Sequence, residues 1–150
     1  MDAQKMLPAN FADALKTMVG LDIYIGCCEG RMCYHGELLE VSMNLVNILE
    51  NGVKHTVYMN NICFVMLHNE EERFPEPRES VYSILFERFH YFLNKRIEIT
   101  RVNGSCWAID GRLEYIENDY LVVFNELEKS VAYIHAVGAF EIKSLRVSEN

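Results

Sequence analysis

Apolar positions along this chain recur at helical spacing in two places and at strand spacing elsewhere, and the order of the two patterns repeats. Residues 11–19, FADALKTMV, follow Asn10, a side chain able to cap a helix N-terminus, and stop at Gly20, which can take the left-handed conformation that ends a helix. Residues 81–93, VYSILFERFHYFL, follow Ser80 and set Val81, Ile84, Leu85, Phe89, Phe92 and Leu93 at helical spacing. Tyr82, Phe86, His90 and Tyr91 carry the aromatic character of this second helix almost all the way round. That predicts burial on most sides, between its own half and either the other half or another subunit.

A strand follows each helix: LDIYIGCC in one case and RIEITRVN in the other, with Ile23 and Ile25 matching Ile97 and Ile99. Turns at Glu29–Gly30 and Asn103–Gly104 lead into RMCYHGELLEV and SCWAIDGRLEYI, where Gly36 matches Gly111, Leu38 matches Leu113 and Val41 matches Ile116. A glycine inside a strand marks a bulge or a sharp bend at which a small sheet can curl over, so Gly36 and Gly111 are the expected structural bends. LVNILE, VKHTVYM and ICFVML then correspond to YLVVFN, KSVAYI and VGAFEI, with Asn51–Gly52 as a hairpin turn. From the bend glycine onward the halves align without a gap, 75 residues apart, which sets His135 against Asn60. The repeat predicts two domains, 1–67 and 81–150, each a helix followed by five strands. Between them lies HNEEERFPEPRES, residues 68–80, an acidic linker carrying Pro75 and Pro77.

Charge and composition narrow the function. The chain of 150 residues has a net charge of −8, which opposes any partner held mainly through a phosphate backbone. Residues 1–67 carry four basic and seven acidic groups and residues 81–150 eight and ten, so neither half is basic. No apolar run approaches the roughly eighteen residues of a membrane span. The start MDAQKMLPANFADALK lacks the basic-then-apolar order of a secretory signal. Five cysteines, an odd number, fit a reducing compartment better than a disulfide framework, and the expected location is cytoplasmic. Cys27, Cys28 and Cys33 cluster, yet neighbours on a strand face opposite ways and no CxxC pair completes a zinc site. The histidines at 35, 55, 68, 90 and 135 stand in no motif with a nucleophile, and phosphate loops and dinucleotide fingerprints are missing. The expectation is a protein without catalytic residues, metal or cofactor.

A short helix and five bent antiparallel strands, with a glycine-led second strand, resemble the Sm-like superfamily of Sm, LSm and Hfq proteins. GELLEVSMNLVNIL looks like the first Sm motif, while GRLEYIENDYLVVFN with VAYIHAV is similar to the glycine-led strand pair and the Tyr-Lys-His-Ala-Ile element of Hfq. Tyr133, His135, Ala136 and Val137 match that last element, and Glu117 falls where the family carries an acidic residue. The resemblance implies a mainly β fold of two tandem Sm-like (SH3-type) small open barrels. It also implies strand-four-to-strand-five pairing between units, giving self-association as a trimer that forms a pseudo-hexameric ring, or a smaller oligomer. The link between those strands would line a pore, with His135 and Asn60 at it; a hydrogen-bonded histidine at a strand end is the alternative. Ile134 and Met59 replace the Hfq lysine, Met43 and Val46 replace the Sm aspartate and base-contacting asparagine, and the second Sm motif's Arg-Gly pair is missing. Asn44, Asn60 and Asn61 in one half, and Asn118, Asp119 and His135 in the other, remain as candidate ligand or RNA contacts. Trp107 and Tyr34 either line an aromatic cage or pack in the barrel. The function expected on this resemblance is a non-catalytic assembly or scaffold protein with at most weak affinity for single-stranded RNA. The alternatives are an Hfq-type RNA chaperone and a two-barrel protein-interaction adaptor without a ring, none of them bound to a membrane.

Overall fold

The computed structural model describes residues 7–28, 33–70, 84–101, 108–137 and 142–148. Helix α1 spans Phe11–Lys16, and the strands are β1 (Asp22–Cys27), β2 (Cys33–Val41), β3 (Leu45–Glu50), β4 (Val53–Tyr58), β5 (Ile62–Leu67), β6 (Arg96–Arg101), β7 (Ala108–Ile116), β8 (Tyr120–Asn125), β9 (Ser130–His135) and β10 (Ile142–Ser148). The chain is mainly β. All ten strands lie in one open antiparallel sheet, in the order β10-β6-β7-β8-β9-β5-β1-β2-β3-β4. Each half has the same internal order, its fifth strand beside its first and its fourth at the far side. The two halves are not separate sheets, because β5 of one pairs with β9 of the other.

Asn10 caps α1 as the sequence implies, its side-chain oxygen accepting the Asp13 amide at 2.9 Å. The helix buries Phe11, Ala14 and Leu15, and Met18 in the following turn is buried beside them. The second helical stretch is a 3-10 helix over Ile84–Phe92; residues 81–83 of the span predicted by periodicity lie outside the described residues. It anchors through Phe89, which is fully buried, while Tyr91 is 79 % exposed. The linker beyond residue 70, Ser80, Trp107 and the turns Glu29–Gly30 and Asn103–Gly104 fall outside the described residues.

The bend glycines are sites of close backbone approach. A Cβ on Gly36 would stand 1.9 Å from the carbonyl oxygen of Leu49, and one on Gly111 would stand 2.4 Å from that of Phe124. Just beyond each glycine the register slips, between Leu38 and Glu40 against β3 and between Leu113 and Tyr115 against β8. The bulge and the missing side chain together let β2 and β7 fold sharply onto their neighbours.

Three sequence expectations need correction. The halves do not align at a constant 75 residues. The β3–β4 turn is the two-residue Asn51–Gly52, both with positive φ, whereas the β8–β9 turn spans 126–129, braced by the Asn125 side chain accepting the Glu128 amide at 2.9 Å. Register therefore sets Tyr58, opposite Leu45, in the position of His135, opposite Tyr120, and not Asn60. The last strand is also displaced. Residues 136–137 are helical, so the strand predicted over VGAFEI does not start at Val137; 138–141 lie outside the described residues, and the described strand β10 reaches on to Ser148. Finally, Cys28 and Cys63 form a disulfide between the end of β1 and the start of β5, with Cα atoms 5.6 Å apart. The inference of a reducing compartment from free thiols loses its support. No described helix is long and apolar enough to cross a membrane.

Two measurements follow from this geometry. Gly36→Ala and Gly111→Ala should each cost roughly 1–3 kcal/mol in urea unfolding, because the added methyl meets backbone rather than a movable side chain; an unchanged midpoint would show that the close approach is absent. Thiol titration of the denatured protein should gain at least two reactive groups on reduction, since Cys28 and Cys63 are paired; an equal titre before and after would show the bond is absent.

Candidate functional site

The joint between the halves holds two of the polar residues singled out in the sequence, Asp119 and His135. Its backbone part is the antiparallel pairing of Phe64 with Ile134, Val65 with Tyr133, Met66 with Ala132 and Leu67 with Val131. Every one of these eight side chains is apolar. Alternation along the strands sends them to two different cores. Ile62, Val65 and Leu67 join the first core with Val131 and Tyr133, while Phe64, Met66, Ala132 and Ile134 join the second. Strand β8 divides the same way: Tyr120, Val122 and Phe124 face the first core, Leu121 and Val123 the second. Hence β8 and β9 are buried at every position, on both faces.

Helix α1 closes the joint from above. The Phe11 amide, one of the donors that a helix start leaves unpaired, donates to Asp119 Oδ1 at 2.7 Å. The Phe11 ring stacks on His135 at a centroid distance of 4.4 Å and an interplanar angle of 10°. The Tyr120 hydroxyl donates to the Pro8 carbonyl, also from the chain leading into α1. His135 Nδ1 lies 3.0 Å from the Ile62 carbonyl oxygen, an acceptor, so that nitrogen carries the proton. His135 is 9 % exposed. It is the hydrogen-bonded histidine at a strand end, holding β5, β9 and α1 together, and not a solvent-facing group. Burial pushes its pKa down, with the Ile62 hydrogen bond and the Asp119 charge opposing that shift.

The remaining candidates lie at the same end of the sheet. The Met59 amide donates to the Asn44 carbonyl at 2.7 Å and the Cys28 amide to the Asn61 carbonyl at 2.8 Å, which sets Asn44, exposed, next to the turn of exposed Asn60 and half-buried Asn61. In the second half the Ala136 amide donates to the Asp119 carbonyl at 2.8 Å, bringing Asp119 and exposed Asn118 beside His135. Asn44 thus stands where Asp119 does and Tyr58 where His135 does. The second pair is covered by α1. In the first pair, Asn44 and Tyr58 are exposed, with Met43 (77 % exposed) beside them.

Sequence reasoning missed a histidine-tyrosine surface on the first half. Tyr24 stacks on His35 at 3.9 Å and meets the edge of His68 at 4.8 Å, and His35 Nε2 lies 2.6 Å from Asp22 Oδ2. Tyr34 lies 4.8 Å from His55, whose Nε2 is 3.7 Å from Glu50 Oε1. Only cross-strand pairing brings these together, so no linear spacing signals them. Two hollows flank β7 and β8. They measure about 80 and 150 Å³, against the roughly 300–1,000 Å³ typical of small-molecule sites. The larger is lined by Arg96 and Arg112, which already pair with Asp110 at 3.1 Å and Glu114 at 2.6 Å.

Comparison with protein-family models, with curated proteins and with solved structures returns no match. The residues themselves therefore carry the functional reading.

The His135 environment makes stability pH-dependent. A histidine whose folded pKa is depressed resists protonation that the unfolded chain accepts. Its contribution is complete above the unfolded value near 6.5 and is lost as pH falls below that value toward the folded one. Urea midpoints should drop between about pH 7.5 and 5.5, and His135→Gln should flatten that part of the slope; an unchanged slope in the variant would locate the effect elsewhere.

Proposed function

We propose that this chain is a non-catalytic assembly or scaffold protein built from two Sm-like units, which works by joining sheet edges. The observation that carries this reading is the β5–β9 pairing, fifth strand of one unit to fourth strand of the other, inside a single chain. The repeated strand order supports the Sm-like assignment, and the matching glycines against β3 and β8 support a sharp curl of the sheet in each half. Among the described strands, the same joint leaves one fourth strand, β4, and one fifth strand, β10, as the two outer edges. Those edges are the complementary halves of the joint already made internally. A chain with one such edge at each end can pair head to tail, and three copies would bring six units into a ring.

RNA is the weaker ligand on chemical grounds. His135 is committed to the joint, Asp119 is spent on α1, and the net charge of −8 repels a phosphate backbone. Electrophoretic mobility shift at moderate salt with a U-rich and an A-rich oligonucleotide should show no binding below micromolar concentration. Sub-micromolar affinity for either would overturn the scaffold reading in favour of an RNA chaperone.

A further inference from the structure

We infer that the β4 edge receives the β10 edge of a second copy of this chain through a polar, ionic joint centred on Arg146 and Glu50, and that this outer joint is separable where the inner one is not. The inference rests on the edge-assembly reading and specifies its partner and chemistry.

Register defines what would meet what. Gly36 pairs with Ile23 and Gly111 with Ile97, so Tyr24 corresponds to Glu98. Tyr24 pairs with Met66 and Glu98 with Arg146, so Arg146 stands where Met66 does, and Leu145 where Val65 does. On the other edge Lys54 stands where Val131 does, Thr56 where Tyr133 does and His55 where Ala132 does. Carrying the inner register outward sets Leu145 against Thr56 and Arg146 against His55. The inner joint has apolar residues at all of these places, and the outer one has three polar side chains in four.

Arg146 would enter the place that Met66 fills in the second half. Met66 lines a hollow with Ile109, Asn125 and Ala132. Their counterparts on the open side are Tyr34, Glu50 and His55. Glu50, whose carboxylate accepts the His35 amide at 2.9 Å and lies beside His55, supplies a negative charge where the inner joint has the neutral Asn125. Arg146, 76 % exposed, reaches Glu98 at 3.3 Å within its own chain. Charge is complementary beyond this pair. Strands β6 and β10 carry Arg96, Arg101, Lys143 and Arg146 against Glu98, and β2 to β4 carry Glu37, Glu40 and Glu50 against Lys54.

The outward face of the first half agrees. Where the second half presents Tyr115, Val122 and Tyr133 to the neighbouring core, the first half has exposed Glu40 and Thr56 with buried Asn47 between them. These are linked by hydrogen bonds, Asn47 Nδ2 to Glu40 Oε1 at 3.1 Å and Thr56 Oγ1 to Asn47 Oδ1 at 2.6 Å. Exposed Met43, Val53 and Tyr58 supply apolar contact around this polar strip, the mixed character of a separable interface rather than of a domain core.

Light scattering during gel filtration at micromolar concentration tests the joint. In about 0.05 M salt the wild type should run as a multiple of 17.4 kDa. In about 1 M salt, where screening shortens the reach of charge to about 3 Å, it should fall to the single chain. Arg146→Glu, a change at an exposed position whose fold is checked by circular dichroism, should run as a single chain at low salt, and adding Glu50→Lys should restore assembly. Assembly that survives both high salt and Arg146→Glu overturns the ionic joint and leaves edge assembly standing. A single-chain wild type at low salt overturns both.

Discussion

A β-strand satisfies its backbone only when something pairs with each of its edges, and here that requirement is met across the middle of the molecule by β5 and β9. Everything else in the structure leans on this contact. It turns two five-strand sets into one sheet, it decides which faces of β8 and β9 are covered, and it brings α1 of one half over the residues of the other. The disulfide between Cys28 and Cys63 lies beside it and ties the end of β1 to the strand that makes the joint. The Ile62 carbonyl, one residue before that disulfide, accepts from His135.

The joint also explains why two similar halves have such unlike surfaces. Strands β8 and β9 are buried at every residue because one face fills their own core and the other fills the core of the first half. Each large apolar side chain so buried is worth about 1.5–3 kcal/mol. Losing a few of them would consume much of the roughly 5–15 kcal/mol that keeps a domain folded. Strands β3 and β4, with no neighbour beyond β4 among the described strands, keep Asn47, Lys54 and Thr56 at the matching positions. Asn47 is buried and satisfied by its hydrogen bonds to Glu40 and Thr56, so the polar ladder is held within the half itself, and it would make any later contact weaker than the internal one. On the function proposed above, this asymmetry would give a scaffold one permanent and one separable joint per chain.

Much of this architecture was legible in the linear order of residues. The runs FADALK, DIYIGC, LVNILE and YLVVFN form elements close to where their spacing sets them, since periodicity is a local property that burial of one face then selects. Gly36 and Gly111 could be singled out because a glycine inside a strand has few other uses. The gap in the repeat could not be read. Val53–Tyr58 and Ser130–His135 are both short β-branched and aromatic stretches, so a slide of two residues leaves the composition match intact, and only hydrogen-bonded register shows that His135 answers Tyr58.

What the sequence by itself determined, then, was the kind of each element, their repetition and the bends, because these depend on propensity and spacing over a few residues. Tertiary structure alone decided that the expected fourth-to-fifth-strand pairing joins β9 to β5 within one chain, the bond from Cys28 to Cys63, and the roles of Asp119 and His135 at the foot of α1. The physical reason is separation along the chain. Phe11 and Asp119 are 108 residues apart and Ile62 and His135 are 73, so no local pattern links them; they meet because the sheet curls until the apolar faces of both halves are covered.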